Sequence, residues 1–264
     1  MTEAPASPDA PPPGEKPGIL TREDGATIAY HRTEGNLPGV IFLGGFRSDM
    51  SGIKATALEA HCRAVGRAFL RFDYFGHGES SGDFTDGTIG RWSKDALFAL
   101  DELTDGPQVL VGSSMGGWIM LLAALARPAR VAALVGIAAA PDFTESLMWH
   151  HYPPLVRETI LRDGVYYEPS EYDEDPYPIT RALIEDGRNQ LLLERPIAVH
   201  CPVRLIHGMQ DRSVPWEHAL LIGEQLLSAH VTLTLVKDGD HRLSRDEDIA
   251  RMLRLIHATC AEVE

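Results

Sequence analysis

The chain of 264 residues suits one large α/β domain or two small ones, and its 44% hydrophobic content fits a globular protein with a real core. Lys and Arg number 24 against 38 Asp and Glu, a formal net charge of −14, which argues against nucleic-acid or anionic-membrane partners because both need basic surface. No apolar run approaches the length of a membrane span, and Cys62, Cys201 and Cys260 are odd in number, widely spaced and in no metal-type pattern, so they read as reduced thiols.

In chain order, residues 1–18 are proline-rich around Pro11-Pro12-Pro13 and read as a solvated tail. They have neither the basic start and apolar core of a secretory signal nor the Arg-rich, acid-poor character of a transit peptide. Ile19 to Arg32 reads as a hairpin turning at Asp24-Gly25. Val40 to Leu43 is a short buried strand that stops at Gly44-Gly45, and Ile53, Ala57, Leu58, Cys62 and Val65 then share one helical face. A strand at Ala68–Phe72, a helix at Trp92–Leu103 and the apolar run Val109-Leu-Val111 follow. Val131–Ala140 predicts a sixth strand, broken by Pro141. Strands at Val203–Ile206 and Val231–Val236, with helices at Pro215–Leu227 and Ser244–Cys260, complete an alternation that means a mostly parallel sheet with helices on both faces. Residues 143–199 break it with acid clusters, prolines and the aromatics Trp149, Tyr152, Tyr166, Tyr167, Tyr172 and Tyr177, and are expected to form a small cap over the carboxyl edge of the sheet.

The stretch Gly112-Ser-Ser-Met-Gly116 fits the G-x-S-x-G pattern of a strained strand-to-helix turn that lifts a serine above a parallel sheet. Cβ atoms would collide at the positions two away from that serine, which are Gly112 and Gly116 around Ser114 but Val111 and Met115 around Ser113. Ser114 is therefore the candidate nucleophile. Met115, Trp118, Ile119, Leu122 and Ala126 recur at helical spacing behind it, and Leu121 and Ala123 fill much of the remaining surface, the pattern of a buried helix.

A serine hydroxyl needs an adjacent base, and in this topology the chain order is Ser, Asp, His. Asp211 follows the strand that ends at His207, and His241 follows the last strand. Ser244 and Glu247 have capping-box spacing and should start the final helix just after His241. Asp142 is the main rival for the acid, while Asp238 and Asp240 read as loop-forming residues. His207 reads as a packed or hydrogen-bonded structural residue, and His150-His151 lack the neighbours a metal pair would need. The oxyanion hole requires two backbone N–H groups, assigned to Met115 and to Phe46 in the Gly44-Gly45-Phe46 loop. Gly45, His77, Trp149 and His150 are candidate substrate contacts.

After residue 18 the chain resembles the α/β-hydrolase superfamily in these motifs. A closer likeness lies in Phe42-Leu-Gly-Gly-Phe-Arg-Ser-Asp-Met50 with Gly52 and Lys54-Ala55, in Arg71-Phe-Asp-Tyr-Phe-Gly76, in His207-Gly-Met209 with Val214-Pro-Trp216, and in Asp240-His-Arg242. Those segments are similar to the palmitoyl-protein thioesterase and acyl-glucuronide-hydrolysing branch of the hydrolase-domain family, which has mitochondrial and bacterial members. The resemblance implies a triad at Ser114, Asp211 and His241, no cofactor or metal, and a small-molecule or acylated-protein substrate joined as a thioester or activated ester. Carboxylesterases, carbon–carbon hydrolases and peptidases share the same triad, and a non-catalytic binding protein on the same scaffold is the alternative of another class. Because the N-terminus does not read as a transit peptide, the expectation is a bacterial-type cytoplasmic protein. Oligomeric state is not legible in the sequence.

Overall fold

The structure is a computed structural model that describes residues 16–170 and 175–264. Most of the proline-rich tail, and Tyr172 of the expected cap, lie outside the described residues. Ten strands and seven α-helices are described. They are β1 (Gly18–Thr21), β2 (Thr27–Thr33), β3 (Asn36–Leu43), α1 (Ile53–Ala64), β4 (Arg67–Phe72), α2 (Ile89–Leu103), β5 (Gln108–Ser113), α3 (Met115–Ala126) and β6 (Val131–Ile137). After these come α4 (Pro154–Asp163), β7 (Val165–Glu168), β8 (Tyr177–Thr180), α5 (Arg181–Arg188), β9 (Val203–Gly208), α6 (Glu217–Gln225), β10 (Val231–Val236) and α7 (Asp246–Glu262).

Eight of these strands form one sheet in the order β1-β2-β4-β3-β5-β6-β9-β10. The β1–β2 hairpin and its junction with β4 are antiparallel, and every pair from β4 to β10 is parallel. Two apolar layers cover the sheet. One joins Trp92, Leu100, Trp118, Ile119 and Ile222 from α2, α3 and α6, and the other joins Leu58, Cys62, Met252 and Ile256 from α1 and α7. Because both faces are packed, β5 is buried along its whole length, which is why it reads as a continuous apolar run instead of an alternating one. The chain crosses from β4 over β3 to β5, so the strand order reverses beside β3, where open α/β sheets hold their ligands.

Two expectations change. The sixth strand ends at Ile137, three residues before Ala140, because Ala138 takes a positive φ of 45° that pleated backbone cannot hold. The final helix begins at Asp246 after Arg245, whose side chain makes no capping bond, so Ser244 and Glu247 do not form the expected box. Arg245 pairs with Asp238, Glu247 and Asp248, and the acids Asp246, Glu247 and Asp248 in the first turn suit the positive end of the helix dipole.

Between β6 and β9 the chain leaves the sheet. A π-helical turn (Thr144–Trp149), α4, the two-stranded β7–β8 ribbon and α5 gather around a small apolar cluster of Tyr152, Ile160, Ile179 and Ile184. Trp149, Tyr166 and Tyr177 pack against that cluster, so several of the aromatics that mark this stretch hold it together. Thr180 caps α5 by accepting from the Leu183 N–H at 3.0 Å.

Candidate active site

Ser114 sits between β5 and α3 with φ 53° and ψ −117°, a conformation that costs a non-glycine residue about 1–3 kcal/mol. Its neighbours hold it there. The Ser114 N–H donates to the Ile137 carbonyl at 2.9 Å, and its own carbonyl accepts from Gly117 at 2.8 Å and Ala140 at 3.0 Å. The glycines are required by contact. A Cβ on Gly112 would stand 2.3 Å from the Gly116 carbonyl oxygen, and one on Gly116 would stand 2.0 Å from that of Leu43. The close approach of Gly116 also brings α3 against the loop that follows β3.

Asp211 lies on the loop after β9 and His241 on the loop after β10. His241 Nε2 is 3.1 Å from Ser114 Oγ, and His241 Nδ1 is 2.7 Å from Asp211 Oδ2. The Asp211 side chain is fully buried, and each of its oxygens is engaged. Oδ1 accepts from the Ser213 and Val214 N–H groups at 2.9 and 2.8 Å, and Oδ2 also faces His207 Nε2 at 3.1 Å. Burial by itself would raise this carboxyl, but the hydrogen bonds from His207 and His241 outweigh it and hold the group well below the usual carboxylate range.

Asp142 is elsewhere. Its carboxylate accepts from the Leu192 N–H at 2.9 Å and the Leu193 N–H at 2.8 Å, while His241 Nδ1 meets Asp211. Burial raises its pKa against the lowering effect of those two bonds. Asp240 accepts from the Leu243 N–H at 2.9 Å, and Asp238 pairs with Arg245, so both shape the loop around His241.

Met115 is the first residue of α3, so its N–H has no acceptor within the helix. A Cβ on Gly45 would come 3.5 Å from Ser114 Cβ, which places the Gly44-Gly45-Phe46 loop directly against the serine. That loop is pinned several ways. Ser48 Oγ accepts from the Gly45 N–H at 3.0 Å, Asp73 takes the Met50 N–H at 2.7 Å, and Arg71 donates to the Met50 carbonyl at 2.9 Å. The Phe46 ring packs edge-on against Phe84, Trp92, Phe143 and Tyr177, joining the main core to the cluster between β6 and β9.

His77 is 4% exposed and enclosed by the rings of Tyr74, Phe84 and Trp92. Its Nδ1 donates to the Phe75 carbonyl at 3.2 Å, and burial pushes its pKa down to about 4 although that hydrogen bond works the other way. The guanidinium groups of Arg157 and Arg188 both lie over the Trp149 ring, and His150 is exposed beside Glu145 at 3.3 Å. Lys54, which the family likeness includes without giving it a site role, reaches the catalytic edge, donating to the Arg242 carbonyl at 2.5 Å. Burial lowers Lys54 to about 8, with Asp240 opposing the shift. A contact spanning 188 residues leaves no trace in local sequence. Among the described residues no cluster of His, Cys, Asp and Glu is arranged to hold a metal ion, and no helix is long and apolar enough to cross a membrane.

A parallel sheet whose serine, histidine and carboxylate meet at its carboxyl edge defines a class, and residues 40–165 match the model of the alpha/beta hydrolase fold. The chain belongs to the α/β-hydrolase family. It is 45% identical over 232 residues, 88% of this chain and 78% of the relative, to mouse mitochondrial palmitoyl-protein thioesterase ABHD10. The solved structure of mouse alpha/beta hydrolase domain-containing protein 10 superposes with a TM-score of 0.89 at 41% identity, covering 95% of this chain and all 100% of that one. A putative hydrolase from Agrobacterium vitis matches with a TM-score of 0.89 at 42% identity, covering 93% of this chain and 98% of that one. The thioesterase relatives from mouse, rat, orangutan, human and cattle are all named mitochondrial, which overturns the expectation of a cytoplasmic protein.

Proposed function

We propose that the chain is a serine hydrolase that cleaves acyl thioesters and activated esters through an acyl-enzyme on Ser114. The observation that carries this reading is the unbroken line from Ser114 Oγ through His241 to Asp211, with separations of 3.1 and 2.7 Å. His241 takes the hydroxyl proton as Ser114 attacks the acyl carbonyl, and Asp211 fixes the imidazole with Nδ1–H and stabilises its charged form. The oxyanion rests on the Met115 and Phe46 amides, and Met115 lies at the positive end of α3. His241 then protonates the departing thiol or alcohol, and water releases the acyl group. No metal or organic cofactor has a part in these steps.

The similarity to proteins named palmitoyl-protein thioesterase supports an acyl thioester, on a protein or a small molecule, as the substrate class. Acyl glucuronides are included as activated esters. Residues 143–199 act as a cap, and Phe46, which packs on both its cluster and the main core, makes the oxyanion loop part of the pocket wall. The test is a matched panel of acyl thioesters, p-nitrophenyl esters, an acyl glucuronide and a peptide amide, run beside fluorophosphonate labelling. Thioester or glucuronide turnover that disappears in Ser114→Ala, with the probe adduct on Ser114, is the expected result. Full esterase activity in Ser114→Ala rules the mechanism out. Absence of an adduct favours a binding protein, and turnover of the amide alone places the substrate class elsewhere.

A further inference from the structure

His207, in β9, is fully buried and has an unusual surrounding for a core histidine. Its Nε2 faces two oxygens, Asp211 Oδ2 at 3.1 Å and the Val214 carbonyl at 2.9 Å. Neither oxygen can donate, so Nε2 must carry the proton. Its Nδ1 is buried without a hydrogen-bond partner, so a proton there would be a buried donor with no acceptor. The ring is therefore the Nε2–H tautomer. Its proton is shared between the carboxylate that meets His241 and the turn that holds this carboxylate. Val214 closes the arrangement from the other side, because its own N–H donates to Asp211 Oδ1 at 2.8 Å.

We propose that His207 is a positioning residue for the hydrolytic reaction. Its Nε2–H clamps Asp211 Oδ2 and the Val214 carbonyl together, so that the carboxylate keeps one orientation toward His241 Nδ1 as charge develops on the imidazole. The proposal rests on the roles given above to Ser114, His241 and Asp211. A packing histidine would need only its shape. This one satisfies an oxygen of the acid directly, and a fully buried carboxylate left short of a donor loses both orientation and charge stabilisation. The ionisable groups facing the ring are Asp211 and, across the site, His241, with His218 of α6 close enough to be influenced electrostatically by His207.

The sharing of the Asp211 charge gives the test a readout that packing does not move. Without the His207 donor, more of the carboxylate charge acts on His241, so the acid limb of the kcat/KM profile shifts to higher pH. In His207→Phe, which keeps a buried ring and loses the donor, kcat falls about ten- to hundredfold with KM little changed, and the limb shifts. In His207→Gln, whose amide can place an N–H where Nε2 stood, most of kcat and the original limb return. Wild-type kcat with an unmoved limb in a folded His207→Phe overturns the proposal, as does equal loss in both variants with an unmoved limb. Should His207→Phe fail to fold, imidazole nitrogen NMR of the wild-type protein decides, since a protonated Nδ1 with a bare Nε2 on His207 overturns the clamp. Failure of the underlying reading shows separately, as activity persisting in Ser114→Ala.

Discussion

At the scale of single residues, the site depends on places where a side chain is forbidden as much as on those where one is required. Gly116 lets α3 touch the backbone of Leu43 and Gly44, which continues into the loop carrying Gly45 and Phe46. Gly116→Ala should therefore cost about 1–3 kcal/mol through overpacking. The same change displaces the Phe46 amide, so kcat should fall by more than the loss of stability explains. Urea unfolding and steady-state kinetics on one preparation check this, and unchanged kcat in the variant would refute the link between helix and loop. His77 supports a second prediction. Its folded pKa of about 4 lies below the ordinary value near 6.5, so the unfolded chain binds the additional proton in that interval. Stability is complete above about pH 6.5 and is lost as the pH falls toward 4, by about 3 kcal/mol at the limit. His77→Asn can keep a donor for the Phe75 carbonyl but cannot titrate, so its Tm should fall less than that of the wild type between pH 7 and pH 4.5. Parallel acid curves would show that His77 is not the group responsible.

At the scale of elements, Asp142 changes from rival acid to clasp. It holds a positive φ of 60° where the chain leaves the sheet, and it binds the Leu192 and Leu193 N–H groups where the chain returns. Asp142→Ala leaves two buried donors unmatched and should cost about 2–4 kcal/mol, with faster proteolysis between residues 143 and 191. Unaltered proteolysis and an unaltered urea midpoint would disprove the clasp. Asp142→Asn keeps an acceptor and should retain most of its kcat, whereas Asp211→Asn should lose about 10⁴ in kcat, as expected when the imidazole loses its orienting acid. The reverse ranking would reassign the acid. The sequence made the frame legible because the central sheet strands are buried on both faces and the helices are periodic. The hairpin at Asp24-Gly25, the start of α1 and the elbow all lie where their residues put them. The start of α7 did not, because the Ser244–Glu247 spacing is local whereas the pairing of Arg245 with Asp238 depends on how the preceding loop folds back.

At the scale of the whole molecule, the residues brought to the carboxyl edge come from four separate loops, and the sheet order brings those loops together. Ser114, Asp211 and His241 were legible because each follows a recognisable strand in a fixed chain order. Lys54 and the His207 clamp were not, because each is defined by a distant partner or by a ring's orientation. The same sheet explains one more property. The segment leaves the sheet at Asp142 and returns at Leu192, one carboxylate ties the two ends of that stem together, and the loops bearing Ser114, Asp211 and His241 belong to other parts of the chain. Such a stem behaves as a graft point. Lineages can lengthen, shorten or exchange the segment by insertion and recombination while the hydrolytic centre is inherited intact. Substrate range can then diverge quickly over a reaction that stays the same.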